Sequence, residues 1–398
     1  MTSIFHNYQP FDVGLLLFPG IVLFISLFIL GYLGSKSLAI AWSIATIKTS
    51  LFILYFGFLF DGTYTSLDDE VYLTTGQQLY QLFGGDISEI RIDQMQAIVG
   101  GTHIIYNIIN AIAFLFFGEY YFSPVVINII ISAFAAVISV RIIKEQKILR
   151  ETQLNYFFIL LCLHPELLSW STVFNGKDTL VLFMNVLLLH SVSLFILQRK
   201  MAAFFTGFLA IFVLLGLRFY VPFIFGLSFL IYLIIYKKLN LKKVLNFGFI
   251  LSLFLLFVVP WDFLSYSLEV YKQEFINPLT GVVHFMLTPR PFFTDEIHGF
   301  LNFASLINWI LFPIFLMGIY VGFKSRNKFI YFLLAYLLIF TLFYGGIFAF
   351  NGPRHRLQLL FAIATFQFIG LQWFVRQMLL QKTTSSPDKA GTQLASKN

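Results

Sequence analysis

Apolar runs close to twenty residues long recur along this chain, and that recurrence limits the folds open to it more than any other feature. Crossing about 30 Å of hydrocarbon takes roughly 20 residues of helix. Inside hydrocarbon every backbone N–H and C=O must be bonded within the segment. The runs near 14–33, 41–60, 124–143, 154–173, 179–197, 203–217, 222–236, 245–261, 303–323, 329–347 and 354–375 predict an all-α polytopic transmembrane bundle of about eleven spans. A soluble core of this size is excluded, because only 11% of residues are charged while 59% are hydrophobic. The membrane unit is expected over residues 1–380, with a Ser/Thr/Lys-rich tail at 381–398 reading as a disordered cytoplasmic segment. The first apolar run lacks a basic leader and reads as a span rather than a cleaved signal. The single cysteine, Cys162, excludes a disulfide framework and a cysteine metal site.

The net charge of +7 does not point to nucleic acid, because the basic residues sit in short runs between apolar segments. RIIKEQKILRE, QRK, KKLNLKK, KSRNK and the tail after Arg376 fall on one face, joined by Lys36 and Lys48. The positive-inside rule makes that face cytoplasmic. The arrangement holds only if the apolar segment 95–117 does not cross. Its own sequence agrees: His103, Asn107 and Asn110 follow i, i+4, i+7 spacing and make a polar stripe, which predicts an interfacial helix on the outer surface. Two long connections, 61–123 and 262–302, then face outward and collect most of the acids.

Three outer constellations could carry chemistry. Asp68, Asp69 and Glu70 stand together after the second run, where a carboxylate could act as a general base or hold a divalent cation. The alternative reading is a solvated helix start whose negative charge suits the dipole. In HPELLSWSTVFNGKDTL, Glu166 follows Pro165, and Lys177 and Asp178 mark a turn. Asp178 with Asn175 could be ordinary helix capping, and Lys177 could bind phosphate or snorkel. Arg218, Arg290, Arg354 and Arg356 lie at outer ends in three separate loops, where a planar guanidinium suits a lipid phosphate or pyrophosphate. Pairing with internal acids is the competing use. His103 is the histidine worth testing. No Walker loop, nucleophile elbow or dinucleotide fingerprint is present, so a donor used outside would have to arrive by another route, and a lipid carrier supplies one.

In DDEVYLTTGQQLYQ, an acidic pair at Asp69 and Glu70 precedes Tyr72. His103, Tyr106 and FLFFG ending at Gly118 follow, then a span running into RIIKEQK, then LHPELLSWS with its proline. Over residues 41–200 this resembles the C-type (GT-C) superfamily of membrane glycosyltransferases, which use polyprenyl-phosphate-linked sugars. The late NGPRHR is similar to arginines that some members place near the carrier phosphate. The resemblance implies that Asp69 is the base for the acceptor, supported by Glu70 or Asp68, with Asp69 and Glu70 as the ligands of any divalent ion such as Mg or Mn. It implies that Lys177, Arg218, Arg290, Arg354 and Arg356 neutralise the departing lipid phosphate, and that His103, Glu166 and Asp178 support them. The implied partners are a polyprenyl-phosphate-linked sugar, a glycan or lipid acceptor and membrane lipids. The implied setting is polysaccharide biosynthesis on the periplasmic side of a bacterial inner membrane. The extra N-terminal span and the lack of a soluble C-terminal domain depart from the common plan.

Two other functions fit the same outer charges. An O-antigen-type polymerase or ligase would rest chiefly on Arg290, Arg354 and Arg356 and would yield a ladder of repeats. A lipid-linked glycan transporter would need ionisable groups at mid-membrane, where the sequence places few.

Overall fold

The structure, a computed structural model, describes residues 9–65, 67–84, 98, 103–237, 277–347 and 352–384. Every regular segment of the chain among them is helical. The helices are α1 (Val13–Ser35), α2 (Leu38–Leu54), α3 (Leu67–Phe83), α4 (Ile104–Phe117), α5 (Phe122–Glu145), α6 (Glu151–Cys162), α7 (Pro165–Thr172) and α8 (Asp178–Ile196). They continue with α9 (Lys200–Arg218), α10 (Tyr220–Lys237), α11 (Pro278–Leu287), α12 (Asn302–Lys324), α13 (Lys328–Gly346), α14 (Pro353–Leu357) and α15 (Leu360–Thr384). Among the described residues, 7 helices are long and apolar enough to cross a membrane. Their outer faces leave Phe18, Ile21 and Ile25 of α1 and Phe204, Phe208 and Phe212 of α9 exposed, as lipid-facing surfaces are. The chain is an integral membrane protein with a polytopic helical fold.

Those seven cover the runs expected at 14–33, 41–60, 124–143, 179–197, 203–217, 303–323 and 329–347. The others turn out differently. The run at 154–173 is not one helix but α6 and α7, because His164 is held extended (ψ 123) before Pro165, the first residue of α7. The run at 222–236 becomes α10, and 354–375 becomes α14 and α15. The run at 245–261 lies outside the described residues. At the C-terminus α15 continues to Thr384, so residues 381–384 are helical where a disordered tail was expected. Residues 385–398 lie outside the described set.

Local signals explain several boundaries. Asp12 caps α1, accepting from Gly14 N at 2.7 Å, and Ser37 caps α2. The turn between them uses Lys36 in a left-handed conformation, φ 56. α2 ends in a π-helical turn at Tyr55–Leu59. The Phe60 ring then lies 5.0 Å from that of Tyr121, just before α5. The chain therefore leaves α2 and enters α5 at the same end of the bundle. α4, with 14 residues, spans only about 21 Å at 1.5 Å per residue, too short to cross. Its polar stripe, however, does not face water. Asn107 and Asn110 are buried against the protein, where the Asn110 amide bonds Tyr106 O and Asn175, while Asn107 Oδ1 has no hydrogen-bond partner among the described residues.

At the other end of the bundle the connections around Gln146 and Asn327 meet. Gln146 donates to Ser193 O at 3.0 Å, and Asn327 donates to Gln146 O at 3.0 Å. Lys48 does not belong to that face. It is fully buried midway along α2 and donates to Ser132 Oγ of α5 at 2.7 Å.

The closest helix contact joins α12 and α15. A Cβ on Gly318 would sit 1.8 Å from the Phe366 carbonyl oxygen, and one on Gly370 would sit 2.0 Å from that of Ile314. Small residues let membrane helices gain dispersion energy by backbone approach where no hydrophobic effect drives them together. Gly318→Ala and Gly370→Ala should each push the helices apart and destabilise the protein by about 1–3 kcal/mol. Thermal unfolding in detergent checks this, and unchanged midpoints would contradict the packing.

Candidate active site

The first turn of α3 carries Asp68, Asp69 and Glu70, where negative charge meets the positive end of the helix dipole. At 3.6 residues per turn, successive side chains point about 100° apart, and the three acids part accordingly. Asp69 turns inward and is fully buried. Its Oδ2 accepts the Tyr121 hydroxyl at 2.5 Å. Glu70 is half-buried. Asp68 faces a cavity of about 370 Å³ lined by Trp170, Phe174, His298, Phe300 and Arg354. At its rim Arg354 Nη1 binds Asp68 Oδ2 at 2.7 Å, both groups remaining partly open to solvent.

Behind Asp69 lies a closed polar network that sequence reading missed. Tyr106 Oη donates to Asn175 Oδ1 at 2.7 Å, and Asn128 Nδ2 donates to Tyr106 Oη at 2.9 Å. Asn175 Nδ2 donates to Asn110 Oδ1 at 2.9 Å. Asn175 is thus a bridge between α4 and the turn before α8, not the helix cap it resembled. α3 and α4 come close enough for this because position 76 is glycine: a Cβ there would lie 2.5 Å from Asn110 Cβ. Tyr121 could have been singled out only as a tyrosine just before a span, too common a signal to use.

Beside the network stands a cationic corner. Lys177 Nζ lies 2.5 Å from His103 Nε2, and His103 Nδ1 lies 3.0 Å from Leu217 O. The carbonyl requires a proton on Nδ1, so Nε2 is the acceptor and Lys177 the donor. His103 sits at φ 59, a sparsely populated conformation for a residue with a side chain. Burial, then the Lys177 charge, pushes the imidazole down to about 4, so it is neutral. Burial, then Arg218, pushes Lys177 down to about 7, against the opposing pull of Asp178 and Asp68. The Lys177 ammonium also lies 5.5 Å from the Tyr72 ring centroid. Burial above all, then the charge of Asp68, holds the Tyr72 phenol well above its ordinary range. Asp178, Arg218 and Arg354 act on the same phenol, so these residues share one neighbourhood.

Two of the arginines are committed inside the protein. Arg218 Nη2 pairs with Asp178, both nearly inaccessible, and Arg218 Nη1 donates to Tyr220 Oη at 3.0 Å. Arg356 Nε holds Glu166 Oε1 at 3.0 Å, both 2% exposed, while its Nη1 donates to Met286 O at 2.9 Å and to Thr288 O. Both guanidiniums are desolvated and each is held by a buried carboxylate, although Arg218 Nε has no hydrogen-bond partner among the described residues. Arg290 is exposed and forms no ion pair among the described residues, so the structure does not bring it to the cluster. Among the described residues no three His, Cys, Asp or Glu side chains converge as a metal-ligand set. Asp68 and Asp69 point apart rather than to one ion.

No family model matches the sequence, and no curated protein matches it. The fold does match a solved structure, the crystal structure of ArnT from Cupriavidus metallidurans in the apo state. The TM-score is 0.55 at 12% sequence identity, over 87% of this chain and 64% of ArnT. The likeness at that identity is one of fold, and the chain spans less than two thirds of the ArnT length.

The buried pair Arg356–Glu166 ties α14 to α7 across the bundle. Removing one member of such a pair strands a charge and costs about 3–5 kcal/mol, whereas removing both costs far less. Arg356→Met should therefore lower stability sharply, and Glu166→Leu/Arg356→Met should recover most of it. A double variant no more stable than the single, in detergent unfolding, would show that the pair is not a structural clasp.

Proposed function

We propose that the protein is a membrane glycosyltransferase that moves a sugar from a polyprenyl-phosphate carrier to a hydroxyl of a glycan or lipid acceptor. The observation that carries this reading is the juxtaposition, at one end of a bundle, of a buried carboxylate, a cationic corner and an aromatic cavity. The support from the fold is its likeness to ArnT, a membrane glycosyltransferase using a lipid-linked sugar donor. The sequence resemblance to GT-C enzymes points the same way.

In this reading Asp69 is the general base and takes the acceptor hydroxyl proton. The acceptor oxygen attacks the anomeric carbon. The bond from that carbon to the phosphate oxygen breaks, and polyprenyl phosphate departs with the electron pair. Tyr121 orients Asp69 through its 2.5 Å bond. Lys177 and Arg354 are the cations able to meet the phosphate, because among the described residues Lys177 is bonded to neutral His103 and Arg354 is paired with a partly solvated Asp68. Such fixed charge stabilises the leaving group as its negative charge develops. Arg218 lends its field from behind and stays paired with Asp178. Trp170, Phe174 and Phe300 offer aromatic faces to the sugar or the first isoprene units. Glu70 supports the acidic turn. No step is routed through a metal ion. The site is expected on the outer face of the membrane, opposite the basic connections.

Asp69→Asn should lower transfer by about 10²- to 10⁴-fold, the range of a lost general base, with little change in unfolding temperature. Glycan output from a lipid-linked donor, followed by mass spectrometry, is the readout. Undiminished output would remove Asp69 from the reaction. Loss in Asp68→Asn with activity retained in Asp69→Asn would hand the role to Asp68.

The titration of Lys177 gives a second expectation. Its ammonium is charged below about 7 and neutral above, and a bound phosphate, by favouring the charged form, moves that midpoint upward. Binding of a short-chain isoprenyl phosphate should weaken as pH rises across roughly 7 to 9. Lys177→Met should flatten the profile. A wild-type affinity independent of pH over that interval would exclude Lys177 from the phosphate.

A further inference from the structure

At the basic end of the bundle, α12, α13, α15 and the link at 146–150 enclose a groove of about 780 Å³. Lys147, Arg150 and Arg376 stand around it, and no aspartate or glutamate lines it. Its apolar walls include Ile148, Ile369 and Trp373. Gln153 and Gln372 add amides able to bond an oxyanion.

The charge in this groove is not neutralised from within. The neighbouring acids are engaged elsewhere: Glu145 with Arg141 at 3.1 Å and Arg199 at 3.6 Å, and Glu151 with Lys144 at 3.2 Å. Lys147, Arg150 and Arg376 form no ion pair among the described residues. Three uncompensated cations around an apolar-walled groove favour an amphiphile carrying negative charge. The helix that carries Gln372, Trp373 and Arg376 into the groove also presents apolar surface outward, since Phe374 and Val375 are exposed. Basic pockets between membrane helices at the end bearing the positive loops are where anionic headgroups are held.

We propose that this groove is a binding site for an anionic phospholipid, with the headgroup phosphate among Lys147, Arg150 and Arg376 and the acyl chains along Trp373. The site is separate from the acidic end and stands whether or not the transferase reading holds. The same chemistry could recognise free phosphate, so the test separates the two sources. The detergent-solubilised full-length protein is titrated with phosphatidylglycerol, phosphatidylcholine or inorganic phosphate, and retained ligand is counted by native mass spectrometry. The protein should retain phosphatidylglycerol over phosphatidylcholine. Arg150→Gln/Arg376→Gln should weaken that retention by roughly ten-fold or more. Gln372→Glu, which sets an anion in the groove, should weaken it too. Lys36→Gln/Lys200→Gln removes the same charge from the same end and should leave it unchanged. Equal retention by wild type and both groove variants overturns the proposal, as does equal loss in the control. Displacement of phosphatidylglycerol by inorganic phosphate at matched concentration overturns it as well, in favour of a free-anion site.

Discussion

The structure depends on a rule of the low-dielectric interior: a charge removed from water must be answered by another charge or by a full set of hydrogen bonds. Arg218 and Asp178 answer each other between the C-terminal end of α9 and the N-terminal end of α8, and Arg356 and Glu166 do so between α14 and α7. The second pair joins residues 190 apart in sequence. These contacts fix where α14 lies, and so they place Arg354, two residues before Arg356, against Asp68. The mobile-looking ion pair at the cavity rim is thus held by a rigid one behind it. A guanidinium buried on a desolvated carboxylate is scaffold, whereas one bound by a half-solvated carboxylate can exchange partners.

Much of the fold was legible in the sequence because the bilayer imposes a length. Runs of about twenty apolar residues and basic loops between them located the seven long helices and the end at which the basic connections gather. The expectation that 95–117 does not cross rested on charge bookkeeping and a polar stripe, and its described part, the 14-residue α4, is too short to cross. What periodicity could not supply was the direction of a polar stripe. Asn107 and Asn110 read equally well as facing water or facing protein, since both environments satisfy an amide. The structure turns both inward, with Gly76 letting α3 approach Asn110 and Asn175 giving Asn110 a partner.

The site was legible in its residue types more than in its roles. Acids, arginines and Lys177 were visible as charges where charge is costly. Which of them pair could not be read, because each partner lies in a distant segment: Asp68 with Arg354 and Glu166 with Arg356. Lys48 shows the same limit in reverse. A lysine ten residues into a span reads as the flank of a basic loop, yet its amine is buried on Ser132. Tyr121 and Asn128 drew no notice, and Tyr106 only as part of a family pattern, being neutral residues whose importance comes from the network they join.

The Asp68–Arg354 contact has a consequence for selectivity. A carboxylate tethered on the same molecule competes for the guanidinium at an effective concentration of about the millimolar range or above. Any visiting anion must displace this built-in rival. Dilute solutes are at a disadvantage in that contest. An amphiphile confined to the plane of the bilayer arrives already concentrated, so in the proposed function the resident carboxylate would act as a threshold that admits guests from the lipid phase and turns away those from water.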